Sequence, residues 1–453
     1  MKTNRLINIF LIQVTSLIIA PFADYLHAQT GTQSESLMIA LKANDLSKAR
    51  ELVQNLDSAN YSDNDGLSLL MVTSEIGYTQ VCEKLIEKGA NINKQSKKGI
   101  TALILSSQNG HADVVKLLLK NDVDIDFQGT VYKTTALMQA SQNGYTEVVK
   151  LLLDKGARMD LKRANGTNAL MAASVKGHTE VVKLLLEKGS SPDIQSTEGA
   201  TALILASSNG YTDIVNLLLE KGTDPDIKST DGSTAIIWAS VKGHPDIVKL
   251  LLEKSANPDI QNSDGSTALI WASITGRNDI VKLLLENGAN SDLMRADGTT
   301  ALIIACRDGW TEIVKQLLDK GAKPDLKRSD GMNALIVACR NGHTEAVKLL
   351  LENGAQPDLI NISGSTPLMV ASLNGYSEIS KLLLEEGADK DLQRNDGSTA
   401  LIIASKNGHT DLVTLLLNSG ANPDLKDSEG KTALDYAGNQ DVKSLLENIK
   451  TKE

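Results

Sequence analysis

The apolar positions of this chain fall into short, recurring runs of helical spacing. After Gly397, Leu401, Ala404 and Ser405 sit at i, i+3 and i+4, one face of a short helix that Thr399 is placed to cap and Gly408 to end. A second helix follows. Thr410 is its expected cap, Asp411 lies at its electropositive start, and Leu412, Val413, Leu415, Leu416 and Leu417 supply its buried side before Gly420. The next stretch, ANPDLKDSEG, carries Pro423 with its fixed φ and a turn-forming Asp/Ser/Gly cluster, which predicts a hairpin-like finger projecting to the next unit.

The pattern then repeats. The leucine of TAL recurs at Leu103, Leu137, Leu170, Leu203, Leu269, Leu302, Leu335, Leu368, Leu401 and Leu434, with Ile236 in the gap, at steps of 33 residues and one of 34. Leu70 and Leu37 extend the register backwards, giving thirteen units. The end units read as caps, near 37–56 and 432–449. The first carries Lys42, Asn44, Asp45, Lys48 and Glu51 among its apolar positions, and the last drops three residues between its helices and adds Lys443, Glu447 and Lys450.

A 33-residue period built from DGSTAL, second helices such as NGHTEAVKLLL, and GANPDL closely resembles the ankyrin repeat. The resemblance covers residues 34–449. It implies an all-α solenoid of about 13 stacked helix-pair units with hairpin-like fingers, and a role in binding proteins through a concave groove and the finger tips. Two departures stand out. The family's proline is alanine in nearly every unit, Pro367 excepted, and its histidine is apolar, as at Ile104, Met138, Met171 and Ile402. The family's threonine-to-histidine hydrogen bond therefore cannot form, and apolar packing is expected in its place.

Residues 1–28 differ from all that follows. Lys2 and Arg5 precede the apolar run LINIFLIQVTSLIIA, Leu6 to Ala20, and Ala28 offers a cleavage point, the pattern of a secretory signal, with 29–33 as a short linker and 450–453 as a tail. Leu26 is bulkier than the residue preferred before such a cut, so an uncleaved anchor is the alternative. The expectation is an exported protein of bacterial type, periplasmic or secreted, without membrane insertion of the mature chain unless the signal is kept. The three cysteines do not make a disulfide framework: Cys82 stands in a valine column, and Cys306 and Cys339 stand in a serine column. The net charge of −10 argues against a general nucleic-acid binder.

Candidate chemistry dissolves once each residue is placed in its column. Asp396, Ser398 and His409 suggest a hydrolytic triad, but His111, His178, His244, His343 and His409 share a column with Tyr78, Tyr145, Tyr211, Arg277, Trp310 and Tyr376. That column asks for a large planar or long side chain bridging neighbouring loops. EGKT, Glu429 to Thr432, lacks the earlier glycine of a phosphate loop. The aspartates from Asp160 to Asp424 supply one carboxylate per unit, too few for calcium, and are assigned to hydrogen bonding within the fingers. No catalytic residue, cofactor or metal site is expected.

Partner-binding candidates come from the outward positions of the first helix, the second, fifth and sixth places after the TAL leucine. Trp238 and Trp271 stand side by side in the second-place column, next to Val241, Lys242, Ile274 and Thr275, with Arg307, Asp308 and Arg340 beyond. Two readings stand: an interface hot spot, or a column partly buried under the adjacent fingers. Two irregular fingers add Tyr132, in FQGTVYK with its inserted residue, and Ile360 and Ile362 in LINIS; drift in an exposed loop explains either equally well. The overall expectation is a monomeric, non-enzymatic scaffold for a protein partner of unknown identity. The alternative is a structural or protective envelope protein, with an enzyme a distant third.

Overall fold

A computed structural model describes residues 32–450. The signal-like run, its cleavage point at Ala28 and residues 451–453 of the tail 450–453 lie outside the described residues. Within them the protein forms 25 α-helices and no strand, only an isolated bridge between Ser62 and Ser68. Twelve helix pairs run from Gln33–Lys42 with Leu46–Leu52 to Ala400–Lys406 with Thr410–Asn418. The chain divides into two compact units, with the boundary between Val131 and Tyr132.

The thirteenth unit corrects the expectation of a full pair, for it keeps only the helix Gln440–Lys450. Here the Asp435 carboxylate accepts from the Thr432 N–H at 2.8 Å and the Thr432 hydroxyl at 2.9 Å, so threonine no longer caps a helix. Residues 434–437 turn instead, and Gly438 donates back to the Ser405 carbonyl at 2.9 Å.

First helices start as the sequence predicts. The Thr399 hydroxyl accepts from the Ile402 N–H at 3.2 Å, and Asn168 and Asn333 cap in the same way through their side-chain carbonyls at 2.9 Å. Second helices do not. Their cap position is the His/Tyr column, here His409, without a side-chain bond, and Thr410 is already the first helical residue. The tight loop explains this: the Gly408 carbonyl takes the Thr410 N–H at 3.1 Å, and the His409 carbonyl takes that of Val413 at 2.9 Å.

The core is aliphatic and lies between and within the pairs. Ile104, Met138, Met171 and Ile402 are buried, so apolar packing does fill the space of the missing histidine while threonine or asparagine still caps. All three cysteines are buried and free. Burial pushes the Cys82 thiol up to about 12, which keeps it an inert core group.

Neighbouring repeats are locked by two further sets of contacts. In the loops, His111 and the His/Tyr-column side chains from His178 to His409 lie over the glycine of the preceding repeat, Tyr211 on Gly177, Arg277 on Gly243 and Trp310 on Gly276 among them. His111, His178, His343 and His409 each donate Nε2 to a backbone carbonyl of that repeat, His178 to Gln142 at 2.9 Å and His343 to Arg307 at 3.2 Å. In the fingers, the column aspartates from Asp226 to Asp391 accept the N–H found 31 residues later, as Asp226 does from Asn257 at 2.9 Å and Asp259 from Asn290 at 2.8 Å. Main-chain bonds join the same fingers, for example Thr230 to Glu198 at 3.0 Å and Ser263 to Asp231 at 2.8 Å.

The loop contact yields a prediction. Gly177 has φ +79°, and a Cβ there would come within 2.7 Å of the Tyr211 ring, whereas Gly222, with φ +81°, has open space around it. G222A should therefore cost backbone strain alone, about 1–3 kcal/mol, and G177A should cost more. Urea denaturation checks this, with the excess expected to vanish in a Y211A background.

Candidate functional site

The first helices of the larger unit, residues 132–450, hold most of the candidate residues. Trp238 lies in Ala235–Lys242 and Trp271 in Ala268–Ile274, equivalent positions of two helices that pack directly on each other. Both indoles are half-buried. Ala172, Ile304, Val337 and Ile403 fill the same column and are buried, while Leu205 and Val370 are half-buried. The column is thus the shoulder of the core, and tryptophan emerges from it because it is larger. The Trp271 Nε1 is enclosed without an acceptor among the described residues, so the polar edge of that ring turns inward. What this indole offers outward is carbon.

Around the pair, Val241, Lys242, Ile274 and Thr275 are half-buried, and the Thr275 hydroxyl donates to the Trp271 carbonyl at 2.9 Å, inside its own helix. One repeat on, Arg307 and Asp308 are exposed but satisfied by each other through two bonds of 2.7 Å. Arg340, a further repeat on, is exposed and forms no ion pair among the described residues; its Nη1 lies 3.8 Å from the Met332 sulfur. Each loop histidine bond pins a fifth-place carbonyl, that of Arg307 by His343 and that of Leu373 by His409 at 3.3 Å. These outward residues therefore stand on a fixed backbone.

The remaining candidates lie apart from this stripe. Tyr132 is 62% exposed, Ile360 47% and Ile362 73%, so all three are among the freest large side chains of the unit. Their main chains are held nonetheless: the Tyr132 carbonyl accepts from Ala164 at 3.1 Å, Ile360 from the Lys327 ammonium at 3.0 Å, and Ile362 donates to Asp330 at 3.2 Å. The structure brings Trp238 and Trp271 together with their helix neighbours. It leaves Tyr132 and the isoleucines on separate fingers.

Two features escaped sequence reasoning. Leu373 is 52% exposed at a fifth-place position, legible in the column but hidden by its ordinary residue type. Arg163 roots a finger, at a position where Arg295, Arg328 and Arg394 also stand, and its Nη2 donates to Gln139 Oε1 at 3.3 Å, at the second-place column. Burial lowers its pKa, and it remains a cation at neutral pH.

The triad suggested by Asp396, Ser398 and His409 is not assembled. Asp396 is paired with Arg394, which holds its carboxyl well below the usual range, and it also accepts the Ser398 N–H, while His409 is committed to the Leu373 carbonyl of the preceding repeat. Among the described residues no three His, Cys, Asp or Glu side chains group to hold a metal.

The family comparison agrees with this architecture. Models of ankyrin repeats in three copies match residues 37–130, 70–163, 137–229, 203–295, 287–361 and 368–453, and one of many copies matches 341–384. The chain belongs to the ankyrin-repeat family. Among solved structures it is similar to the ankyrin repeat domain of Bcl-3, described as a unique member of the IkappaB protein family, at 34% identity over 48% of this chain and 99% of that one, with a TM-score of 0.45. No curated protein matches it.

Proposed function

We propose that this protein is an exported, non-catalytic scaffold that binds a protein partner through the first-helix face and finger tips of residues 132–450. Ankyrin repeats mediate protein–protein binding, and the repeats here supply that general capacity. The observation that carries the more specific reading is the pair Trp238 and Trp271, half-buried side by side on a rigid helical face. Large aromatic surface held without freedom to collapse is what a binding hot spot needs. Exposed Arg340 and Leu373 continue the same face, and Tyr132, Ile360 and Ile362 extend the reading to the fingers. Export rests on Lys2, Arg5 and the apolar run Leu6–Ala20. No helix among the described residues is long and apolar enough to cross a membrane.

Two measurements test the proposal. Replacing Trp238 and Trp271 together with alanine is expected to weaken partner binding by about 2–4 kcal/mol with helical content nearly unchanged. Normal affinity with a lowered urea midpoint would return both residues to the scaffold. Separately, mass spectrometry of exported protein is expected to find the N-terminus near Gln29. An intact Met1 on that protein would favour the uncleaved anchor.

A further inference from the structure

Charge in residues 132–450 is divided between the two helices of each repeat. All nine second helices, from Thr146–Asp154 to Thr410–Asn418, carry a net negative charge of one or two. None of the nine first helices carries a net negative charge; Ala235–Lys242, Ala334–Asn341 and Ala400–Lys406 are positive and the others neutral. The chain's overall charge of −10 conceals this separation. In the fingers beside these helices, Asp264, Asp330 and Asp396 are paired with Arg295, Arg328 and Arg394, while Asp259 and Asp358 spend their carboxylates on N–H groups of the next finger.

We infer that the partner's docking segment is an acidic peptide carrying apolar side chains, seated along the first helices from Trp238 to Leu373. This rests on the proposed function and narrows it. The face presents the two indoles with Val241 and Ile274, then the self-paired Arg307–Asp308, then unpaired Arg340, then exposed Leu373. An apolar residue of the ligand meets the indoles. A carboxylate meets Arg340, the exposed arginine of this face without an ion pair, whose planar fork suits bidentate recognition. Adjacent helices lie about 8–10 Å apart, so the two contacts stand roughly 16–20 Å apart, which five or six residues of extended chain span at about 3.4 Å each. A basic or neutral segment would bury Arg340 without a counter-charge. The acidic second helices would repel an acidic ligand, which directs it to one side of the repeats.

The test uses the full chain, fluorescently labelled, on an array of random short peptides. Bound peptides are expected to be enriched in Asp and Glu together with Leu, Phe or Trp. For the strongest binder, a version with Gln and Asn in place of Glu and Asp should bind at least tenfold more weakly, and R340E should weaken the original peptide while leaving circular dichroism unchanged. Raising the salt should weaken binding further. No bound peptide, no acidic enrichment, or equal affinity for the neutral version would overturn the inference. So would Arg340-dependent binding of a labelled single-stranded oligonucleotide in place of peptide. If binding depends on Trp238 and Trp271 but ignores charge, the inference fails while the binding face stands; if it ignores both tryptophans, the proposed face fails as well.

Discussion

Register between neighbours is the constraint on which everything else depends. A repeat of this size cannot bury its own apolar side, so its leucines and isoleucines become core only when the next repeat lies in step with it. Step is enforced at both edges of the stack. At the loops a broad side chain covers the glycine before it, and at the fingers an aspartate takes an N–H 31 residues on. Glycine is required in the loop for two reasons at once: the backbone is left-handed there, and the neighbouring ring occupies the place of a Cβ.

That constraint also makes a rigid outward face. Because the loop histidines bond the carbonyls of Arg307 and Leu373, and the first helices pack directly on one another, side chains at outward positions are presented on a backbone that has little room to adjust. Tryptophan in the shoulder column then has one outcome: its inner edge joins the core and the rest stays outside. On the proposed function, stability and recognition share the same residues. Within residues 132–450 the second helices themselves carry more negative charge than the first.

Much of this was legible in the sequence because each structural role is sampled many times. One histidine invites a catalytic reading, but a column in which tyrosine, arginine and tryptophan replace it describes a space to be filled, and the glycine contacts bear this out. The aspartate column was read correctly by the same logic. Thr410 was misread because its residue type favours a cap, while the loop's own carbonyls had already taken the local N–H groups. The last unit was misread because Asp435 competes for Thr432, a contact without precedent in the other repeats. Partial burial of the tryptophan column was one of two readings the sequence left open, because its degree depends on how far the adjacent repeat reaches over them. The finger marked by its inserted residue holds the boundary between the compact units, at Val131 and Tyr132.

If stability is held between neighbours alone, damage at one end must spread from that end. Hydrogen exchange resolved by repeat, on a chain lacking Leu434 to Glu453, tests this most directly. Loss of this cap uncovers the apolar side of the preceding pair, Ala400–Lys406 and Thr410–Asn418. The account predicts fastest exchange in that pair and protection rising repeat by repeat away from it. Uniform exchange along the truncated chain would contradict it.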